Sequence, residues 1–599
     1  MSTDSARARS GSTKISRRTA RHTPYPARRR NSARSPSSAP ASAMDTAAVQ
    51  ERFARLQNGS DVRGVALPGI PDEPVTLTPN AAFCLARAFA ESVRDKQSDK
   101  KEVLIAVGRD PRLSGPAVVD AALRGINSTA GAKAVDAGLA TTPAMYMATQ
   151  FEDVQADGAF MVTASHLPWN RNGMKFFTNA GGASKQDIKA LVTRASEVAN
   201  EYGMDESTCF DADTPLPETS ASAAVDSVPL VKEYYAKHCQ EVVRNAAMNR
   251  YEALTGSAKV PAILSSSKPL ENLRIVVDAG NGCGGFLASE VLAPLGADVN
   301  GSAYLDPDGN FPNHIPNPED ETAMASAVAI TKAASAHMGI CLDTDCDRSA
   351  VVARSGAALN RNRLIAAMSA LVLSAHPGTA VMTDSVTSNG LRDFIESLGG
   401  RHVRYKRGYK NVIDKGVELG SGACQLMMET SGHGALAENF YLDDGLFMAL
   451  LLVGEVAARA AANPDAANSA DFDPLGELVA NLREPVESVE YRLGIQVEPG
   501  SDFRPVGEAA LESFKEVCAD MASSGWVLED ENYEGYRVRI PEGDDGEEGW
   551  ALLRMSLHDP LCVLNVESDK VGGHETTLQI LKSALLEKQV ALDLSALSS

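Results

Sequence analysis

The sequence predicts an α/β protein of several domains, of which the last is a smaller α+β domain. Two observations point to this fold class. First, a short apolar strand that ends in a glycine- or serine-rich turn and leads into a helix-like stretch occurs three times, beginning at Val103, Leu273 and Thr379. This alternation is typical of α/β layers with ligands at the carboxyl ends of the strands, and we expect each instance to open one domain. Second, after Leu475 the pattern changes to closely spaced strand-like segments and a final helix near 576–588.

The length of the chain fits a multi-domain fold. With 599 residues, 44% of them hydrophobic, the chain is too long for one hydrophobic core and can fill several. Two stretches, 211–229 and 461–473, are rich in small and polar residues and are typical of boundary loops. We therefore predict an N-terminal segment and four domains that span residues 1–43, 44–228, 229–352, 353–474 and 475–599.

The charge balance excludes several classes of partner. The chain has 57 basic and 78 acidic residues, a net charge of −21 and a pI near 5.0, which argues against nucleic acid and anionic membranes. No apolar stretch approaches the ~20 residues that a membrane-spanning helix needs, so we expect a soluble protein. The nine cysteines are scattered and never spaced as CxxC, which indicates neither a disulfide framework nor a zinc site and favours a reducing compartment.

The first 43 residues differ in composition from the rest of the chain. They contain ten basic residues and one acidic residue among serines, alanines and prolines, and they lack an apolar core. This composition is typical of an organelle transit peptide rather than of a secretory signal, and a disordered basic tail is the alternative. Because the segment is rich in Ser, Ala and Pro, we predict the plastid stroma as the location, with the mitochondrial matrix or the cytosol as alternatives.

One candidate nucleophile, Ser165, lies in the run TASHLPWNRNGMKFF. It follows the apolar segment 158–162, so we expect it where a strand gives way to a loop. A nucleophilic serine needs a way to lose its proton and a cation to receive phosphate charge, and His166 and Lys175 are nearby candidates for both tasks. The chain has no GxSxG elbow that would indicate acyl chemistry. A Ser-His pair in a loop is often a structural accident, so this motif alone decides nothing.

Three aspartates form the second candidate site. The apolar segment 338–342 is followed by Asp343, Asp345, Asp347 and Arg348. In an extended segment alternate side chains share a face, so we expect the three carboxylates to converge. Like charges held together need a hard cation between them, and oxygen ligands favour Mg²⁺. A solvated acidic turn is the alternative, whereas an EF-hand does not fit because its glycine and distant glutamate are absent.

With these motifs in this order, the chain resembles the α-D-phosphohexomutase family, which includes phosphoglucomutase, phosphomannomutase and phosphoglucosamine mutase. The resemblance rests on TASH at 163–166, DxDxDR at 343–348 and ETSGH at 429–433, which DDG at 443–445 follows. Weaker matches are KRGYKNVI, with Gly408 and Lys410, and RMS at 554–556. The segments DVRG at 61–64, GRDPRLSG at 108–115 and PDGNFPNHIPNPE at 307–319 extend it over roughly residues 58–570.

The resemblance implies a fold and a reaction. The fold would be three mixed α/β sandwich domains plus a C-terminal α+β domain around a central active-site cleft. The protein would interconvert hexose 1-phosphate and hexose 6-phosphate, like a phosphoglucomutase or phosphomannomutase, through a phosphoserine at Ser165 and a hexose 1,6-bisphosphate that also serves as primer. Mg²⁺ would be its cofactor and small-molecule hexose phosphates its partners, and it would be a monomer or a dimer.

The resemblance also implies roles for individual residues. The candidates for catalysis are Ser165, His166, Lys175, Arg63 and His433. The metal ligands would be Ser165, Asp343, Asp345 and Asp347. The substrate would be bound by Arg348, Gly408, Lys410, Glu429, Ser431, Arg554 and Ser556, with the last two holding the phosphate that does not react. The loop at 429–433 could instead be an ordinary turn, and Arg63, Lys410, Arg554 and Ser556 could be solvent-facing.

Three departures from the family pattern leave a second interpretation open. Leu167 stands where the family has asparagine, Cys346 stands where it has a small residue, and Leu557, His558 and Asp559 replace Asn-Thr-Glu in the phosphate loop. A sugar-phosphate-binding or regulatory relative with weak or no catalysis is therefore the alternative. A haloacid-dehalogenase-type phosphatase does not fit, because such enzymes usually have Thr or Val two places after the acidic pair, where this chain has Asp347.

Overall fold

The structure, a computed structural model, describes residues 43–219, 226–420, 422–498, 500–543, 547–556 and 559–597. The predicted transit peptide falls outside these residues except for Ala43, and so do Leu557 and His558 of the predicted phosphate loop. In the described part of the chain, four β-sheets follow one another, each with its own helices.

The first domain is built on an eight-stranded sheet within the described residues. Its helices are α1 (Ala43–Ala54), α2 (Pro79–Lys96), α3 (Gly115–Asn127), α4 (Thr142–Met147), α5 (Lys185–Glu201) and α6 (Glu206–Cys209). Its strands are β1 (Gln57–Asn58), β2 (Asp61–Val65), β3 (Val103–Arg109), β4 (Ala132–Leu139), β5 (Gly158–Val162), β6 (Arg171–Thr178), β7 (Gly181–Gly182) and β8 (Asp226–Ser227). They lie in the order β1-β2-β6-β5-β3-β4-β8, with β7 beside β6.

The centre of this sheet is covered on both faces. Strands β5, β3, β4 and β8 are parallel to one another, and β6 runs antiparallel to β5. Ala159 and Met161 of β5 belong to one apolar core, whereas Phe160 and Val162 belong to another. All five residues of β5 are therefore buried, which is typical of a central strand between two helical layers.

The second domain contains a four-stranded sheet. Its helical segments are a π-helical turn (Val231–Tyr235), α7 (Ala236–Thr255), a second π-helical segment (Leu287–Leu292) and α8 (Glu321–Ala333). Its strands are β9 (Ile275–Asp278), β10 (Met338–Leu342), β11 (Ser349–Ala353) and β12 (Ala358–Leu359). In the order β12-β11-β10-β9, β10 is parallel to β9 and antiparallel to β11.

The third domain has a four-stranded sheet in the order β14-β13-β15-β16, in which β16 alone among these strands is antiparallel to its neighbour. Its helices are α9 (Arg361–Ala375), α10 (Asn389–Ser397), α11 (Tyr409–Glu418), a 3₁₀ turn (Ala437–Asn439), α12 (Gly445–Ala462), α13 (Pro464–Ala467) and α14 (Pro474–Leu478). Its strands are β13 (Ala380–Asp384), β14 (Arg401–Tyr405), β15 (Cys424–Met428) and β16 (Gly434–Leu436).

One helix among the described residues, α12, is long and apolar enough to cross a membrane by length and composition, with 18 residues and a mean hydropathy of 1.7. The sequence prediction overlooked this stretch because Glu455 and Arg459 interrupt its apolar run. In the fold 78% of the helix is buried, it packs against α7, and Glu455 accepts a hydrogen bond from Arg250 at 2.6 Å. A helix that is apolar on most sides and enclosed by protein is typical of a domain core.

The fourth domain is a five-stranded antiparallel sheet with two long helices. Its helical segments are α15 (Arg504–Asp520), a 3₁₀ turn (Met521–Ser524), α16 (Gly573–Glu587) and a 3₁₀ turn (Ser595–Leu597). Its strands are β17 (Glu487–Gly494), β18 (Val527–Leu528), β19 (Tyr536–Pro541), β20 (Glu548–Met555) and β21 (Leu561–Ser568). They lie in the order β17-β21-β20-β19-β18.

The predicted α/β fold with a C-terminal α+β domain is confirmed, but two details are wrong. The strand-turn-helix phrases do not all open domains, because α1, α2, β1 and β2 precede β3, and α9 precedes β13. The predicted boundary at 352 cuts β11, and β12 continues the second sheet to Leu359. Central strands give strong apolar runs because both faces are buried, whereas two-residue edge strands leave almost no pattern in the sequence.

Candidate active site

Ser165 lies in the loop between β5 and β6, where the sequence predicts it. Its side chain is close to fully buried, and its backbone φ is +49°, a left-handed conformation that is uncommon for a residue other than glycine. The Ser165 amide donates a hydrogen bond to Thr163 Oγ1 at 2.9 Å. Backbone strain of this kind persists only where the surroundings hold it, and it clusters at functional sites.

A residue that sequence reasoning missed, Arg112, holds the backbone of this loop. Its side chain is fully buried at the start of the segment that leads into α3, and its Nε donates to Asp110 Oδ2 at 3.1 Å. Its two other nitrogens donate to the carbonyl oxygens of Ser165, Leu167 (2.6 Å), Pro168 (2.7 Å) and Arg171 (3.1 Å). The guanidinium thus uses all five N–H groups to fix the loop that carries Ser165.

The three aspartates converge as predicted, but they do so in a turn and not in an extended segment. Strands β10 and β11 are antiparallel, and Leu342 pairs with Ser349. Residues 343–347 form the turn between them and are not part of a strand. Cys346 within the turn has φ +64°. The turn brings one carboxylate oxygen of each of Asp343, Asp345 and Asp347 within 4.8 Å of the others, and all three residues are buried.

The first domain presents Ser165 directly to this turn. The Ser165 hydroxyl donates to Asp343 Oδ2 at 2.9 Å, and Arg348 Nη2 donates to Ser165 Oγ at 2.9 Å. Arg348 also donates to Asp343 Oδ2 at 3.1 Å. The predicted nucleophile is therefore held between a candidate metal ligand and a guanidinium, and Arg348 contacts the nucleophile in addition to any substrate.

Lys175 comes from β6 and reaches the other two carboxylates. Its Nζ donates to Asp345 Oδ2 at 3.0 Å and to Asp347 Oδ2. Burial alone would lower the pKa of Lys175, but Asp345 and Asp347 outweigh it and raise the pKa well above its usual value. Thr142 Oγ1 donates to Asp345 Oδ2 at 2.6 Å. Lys175 is thus an ammonium ion that bridges the first and second domains.

The chemistry of the turn fits a hard divalent cation. Asp345 Oδ1 and Asp347 Oδ1 are buried and have no hydrogen-bond partner among the described residues. Burial and the charges of Asp347 and Asp345 raise the pKa of Asp343 well above its usual range. Unpartnered carboxylate oxygens that repel one another are the ligands that Mg²⁺ prefers, and a cation there would remove the repulsion.

His166 and Arg63 flank this cluster. Burial, helped by the nearby charge of Arg348, lowers the pKa of His166 to about 3, and its Nδ1 accepts a hydrogen bond from Arg348 Nη2 at 2.7 Å. Neutral His166 therefore orients Arg348. Arg63 on β2 donates to the Thr163 carbonyl at 2.6 Å and to Asp61 Oδ2 at 2.8 Å, so it also contacts the Ser165 loop and is not a surface charge.

The predicted sugar-recognition loop follows β15 in the third domain. Glu429 Oε1 accepts from the Gly408 amide at 2.6 Å, and Glu429 Oε2 accepts from Ser431 Oγ at 3.2 Å. Burial, with the charge of Asp384, raises the pKa of Glu429 to about 7. Two candidate segments of the sequence, around 408 and 429–433, therefore meet at one carboxylate.

His433 connects this loop to the metal turn. It forms a β-bridge with Arg348, and its Nδ1 lies 2.6 Å from Asp443 Oδ2. Burial lowers its pKa, but Asp443 and Asp347 outweigh this effect and raise it to about 9, so the imidazole is a cation at neutral pH. The ring of Tyr409 stacks on His433 with 4.9 Å between the centroids.

Lys410, Arg554 and Ser556 lie farther from this cluster. Lys410 donates to Asp414 on its own helix at 2.6 Å and lines a cavity of about 60 Å³ with Lys175 and Tyr409. Arg554 on β20 lies 3.8 Å from Glu490. Its Nε is buried without a hydrogen-bond partner in the described chain and lies 3.9 Å from Glu534 Oε1. Ser556 Oγ accepts from the Asp559 amide at 3.2 Å.

Three further residues at the site were not singled out from the sequence: Arg112, Asp443 and Tyr409. Arg112 and Asp443 stand in motifs that did match the family pattern, GRDPRLSG and DDG, and that signal could have identified them. Tyr409 stands between Gly408 and Lys410, and its stacking on His433 and its place in the cavity beside Lys175 show that it belongs to the site.

Comparison with known proteins gives one consistent result. Three consecutive family descriptions match the chain: phosphoglucomutase/phosphomannomutase alpha/beta/alpha domain I over residues 54–202, domain II over 253–356 and domain III over 360–473. Together these matches span more than half of the chain.

Individual proteins are similar over almost their whole length. The chain is 27% identical to a phosphomannomutase/phosphoglucomutase of Pseudomonas putida, over 89% of this chain and 96% of that protein. It is also 27% identical to a phosphoglucomutase of Neisseria gonorrhoeae, over 88% of this chain and 95% of that protein. A solved phosphoglucomutase/phosphomannomutase family protein of Burkholderia thailandensis superimposes with a TM-score of 0.66 at 25% identity, over 91% of this chain and 99% of that one.

Proposed function

Because the chain belongs to the phosphoglucomutase/phosphomannomutase family, we propose that it is an isomerase that interconverts a hexose 1-phosphate and a hexose 6-phosphate. The observation that carries the proposal is the pair of 2.9 Å contacts that join Ser165 Oγ to Asp343 and to Arg348. A hydroxyl between a candidate metal ligand and a fixed guanidinium is arranged to carry a phosphoryl group. In the proposed resting enzyme, Ser165 is phosphorylated.

Each half-reaction moves one phosphoryl group. In the first, the bond between phosphorus and Ser165 Oγ breaks while a bond forms from phosphorus to the free sugar hydroxyl, whose proton passes to a base. The Ser165 oxygen takes up a proton from an acid, and the product is a hexose 1,6-bisphosphate. The bisphosphate turns over in the cleft and returns its other phosphate to Ser165, so acid and base exchange roles between the half-reactions.

The charges of the site support roles for individual residues. Lys175 and His433 are cations at neutral pH, so both are suited to stabilise the moving phosphoryl group. His433, whose pKa of about 9 lies nearer to neutral pH, is the candidate for proton exchange: it can donate its proton, and its neutral form can accept the proton of the sugar hydroxyl. Arg63 stays charged, since Asp61 and the Thr163 carbonyl hold it, and it contributes charge stabilisation only. Asp343, Asp345 and Asp347 would hold Mg²⁺, which, when bound, would neutralise negative charge on the phosphoryl oxygens.

Substrate recognition is proposed for the third and fourth domains. Glu429 and Ser431 present a paired carboxylate and hydroxyl that suit sugar hydroxyls. The buried Arg554 Nε, which has no hydrogen-bond partner in the described chain, suits a phosphate oxygen as a charge-assisted donor. Glucose and mannose phosphates are the proposed substrates, and the bisphosphate is the proposed primer.

An activity panel tests the proposal. Purified protein is assayed with Mg²⁺, bisphosphate primer and the 1-phosphates of glucose, mannose, glucosamine and N-acetylglucosamine, and intact mass measures phosphate on the protein. We expect turnover of at least one substrate and a phosphorylated wild type. In Ser165→Ala we expect no phosphorylation and a kcat lower by at least about 10³-fold. The matched control is Ser207→Ala, because Ser207 is an exposed serine of the first domain whose hydroxyl donates to Asp205 Oδ1 at 2.8 Å.

Two outcomes would contradict the proposal. If the wild type turns over no hexose phosphate although it binds one, the chain is a sugar-phosphate-binding relative. If the phosphoryl group is trapped on Asp343 and not on Ser165, the chemistry is that of a phosphatase with an aspartyl nucleophile.

A further inference from the structure

The segment 307–319 of the second domain touches both arginines that hold Ser165. This segment, called the strap below, runs without helix or strand between the π-helical segment at Leu287–Leu292 and α8. The proposed reaction does not yet assign a task to any of its residues.

The strap is fastened to the second sheet by His314. His314 Nε2 lies 2.9 Å from Asp278 Oδ1 at the end of β9, and His314 Nδ1 lies 3.0 Å from the Ile315 carbonyl oxygen. Asp278 is fully buried, and its other oxygen accepts from Ser326 Oγ at 2.5 Å. Both ring nitrogens face acceptors, which is the arrangement of an imidazolium paired with a carboxylate. This anchor fixes the middle of the strap.

One end of the strap contacts Arg112 in the first domain. The Phe311 ring lies over the Arg112 guanidinium at 5.3 Å from its centroid. A Cβ on Gly309 would lie 2.3 Å from the Pro111 carbonyl oxygen and 3.0 Å from Arg112 Cα, so only glycine permits this approach. The strap therefore lies directly against the residue that holds the backbone of the Ser165 loop.

The other end contacts Arg348. Asn317 Oδ1 accepts a hydrogen bond from Arg348 Nη1 at 2.9 Å, while Nη2 of the same guanidinium donates to Ser165 Oγ at 2.9 Å. The guanidinium is planar, so a bond that fixes one of its nitrogens also fixes the direction of the other. Asn317 itself is held, because its Oδ1 also accepts from the Glu319 amide at 3.1 Å.

We propose that Asn317 is a positioning residue of the phosphoryl-transfer site, which aims Arg348 at the phosphate carried by Ser165. Its amide oxygen holds Nη1 while His166 and Asp343 hold Nη2, so both ends of the guanidinium are fixed and Nη2 is directed at the oxygen that gains and loses the phosphoryl group. Among the described residues, Asn317 Oδ1 bonds to Arg348 and the Glu319 amide and not to Ser165 Oγ, so we expect its effect on the rate of transfer and not on substrate affinity. This inference rests on the proposed function.

The test compares two replacements that remove the acceptor with one that keeps it. Asn317→Ala and Asn317→Leu lack an acceptor for Arg348, and the leucine keeps the side-chain volume. Asn317→Asp keeps an oxygen that accepts from Arg348. The matched control is Asn313→Ala, an exposed strap residue whose amide donates to Asn281 Oδ1 at 2.7 Å and which does not contact either arginine.

In Asn317→Ala and Asn317→Leu we expect kcat to fall by about 10-fold or more with KM within about twofold of wild type, because the lost bond is to a charged group in the reacting centre. Asn317→Asp and Asn313→Ala should stay within about threefold of wild type in kcat. Thermal melting of each variant detects a failure to fold. If Asn317→Ala and Asn317→Leu both fail to fold, the crystal structure of Asn317→Asp decides: a guanidinium that stays on Ser165 Oγ without a bond to the new carboxylate would overturn the inference.

Crystal structures of wild type and Asn317→Leu supply a readout besides activity. We expect the Arg348 guanidinium to leave Ser165 Oγ in the leucine variant. An unmoved guanidinium, or a kcat equal to that of Asn313→Ala, would overturn the inference. A wild type without turnover would instead refute the proposed function, and the position of Arg348 in the two crystal structures would still decide the role of Asn317.

Discussion

Replacing Arg112 by lysine tests whether one buried guanidinium holds the loop of the candidate nucleophile. The substitution keeps the positive charge beside Asp110 and most of the side-chain volume. It removes the planar fork, because lysine offers three N–H groups on a single nitrogen where arginine offers five on three. The expected effect is therefore on the carbonyl oxygens of the loop and not on the local charge.

The magnitude follows from the contacts. Arg112 donates five hydrogen bonds, one to Asp110 and four to the carbonyl oxygens of residues 165, 167, 168 and 171. Lysine can satisfy at most three acceptors, so at least two lose their donor. With about 1.5–3 kcal/mol for each bond from a charged donor, the loop loses about 3–6 kcal/mol of local stability. A loss of about 3 kcal/mol makes the equilibrium constant for local opening of the loop about 100-fold larger.

Hydrogen exchange of the peptide that covers residues 163–171 measures this opening directly, and kcat reports its effect on the reaction. The control is Arg124→Lys, because Arg124 on α3 is 51% exposed and pairs with Asp120, at 3.1 Å, four residues earlier. We expect faster exchange and a lower kcat in Arg112→Lys alone. Equal exchange in the two variants would refute the reasoning, since the loop would then keep its conformation without the fork.

Two further predictions concern the metal turn and Glu429. Asp345→Asn should weaken Mg²⁺ binding, measured by calorimetry, by at least about 10-fold. The control Asp120→Asn, at an exposed position, should bind Mg²⁺ like the wild type. Equal affinities in the two variants would exclude the turn as the metal site. The pKa of Glu429 is about 7 in the folded state against an ordinary value of 4.5, so the folded state binds this proton more tightly than the unfolded state does. The group therefore favours folding fully below about pH 4.5. That contribution, at most about 3 kcal/mol, is lost as the pH rises through about 7, and Glu429→Gln should remove this pH dependence from urea unfolding.

The sequence predicted the site best where short motifs follow apolar strands. Ser165 after β5 and the three aspartates after β10 lie where expected, because a buried strand ends at a definite edge of its sheet. The predicted reason for the convergence of the aspartates, an extended segment, was wrong. Their convergence depends on the left-handed backbone of Cys346, and a cysteine gives no signal for φ +64°, as a glycine there would have done.

Contacts between distant segments could not be predicted. Arg112 donates hydrogen bonds to the carbonyl oxygens of a loop more than fifty residues later in the chain. Asn317 accepts a hydrogen bond from Arg348, and the strap that carries Asn317 is held by the contact between His314 and Asp278. An arginine or asparagine in an irregular segment gives no periodic pattern, so only the packing of the domains shows what each side chain touches.

The contact of Ser165 with Asp343 has a consequence for the geometry of turnover. Ser165, the candidate nucleophile, belongs to the first domain and the candidate metal turn to the second. Lys175 and the Thr142 amide join the same two domains, and the Thr142 amide donates to the Asp345 carbonyl oxygen at 2.9 Å. The proposed phosphoryl transfer therefore requires that these two domains are in contact. If these contacts persist between the two proposed half-reactions, the first and second domains form the fixed part of the cleft, and the proposed bisphosphate has to turn against the third and fourth domains.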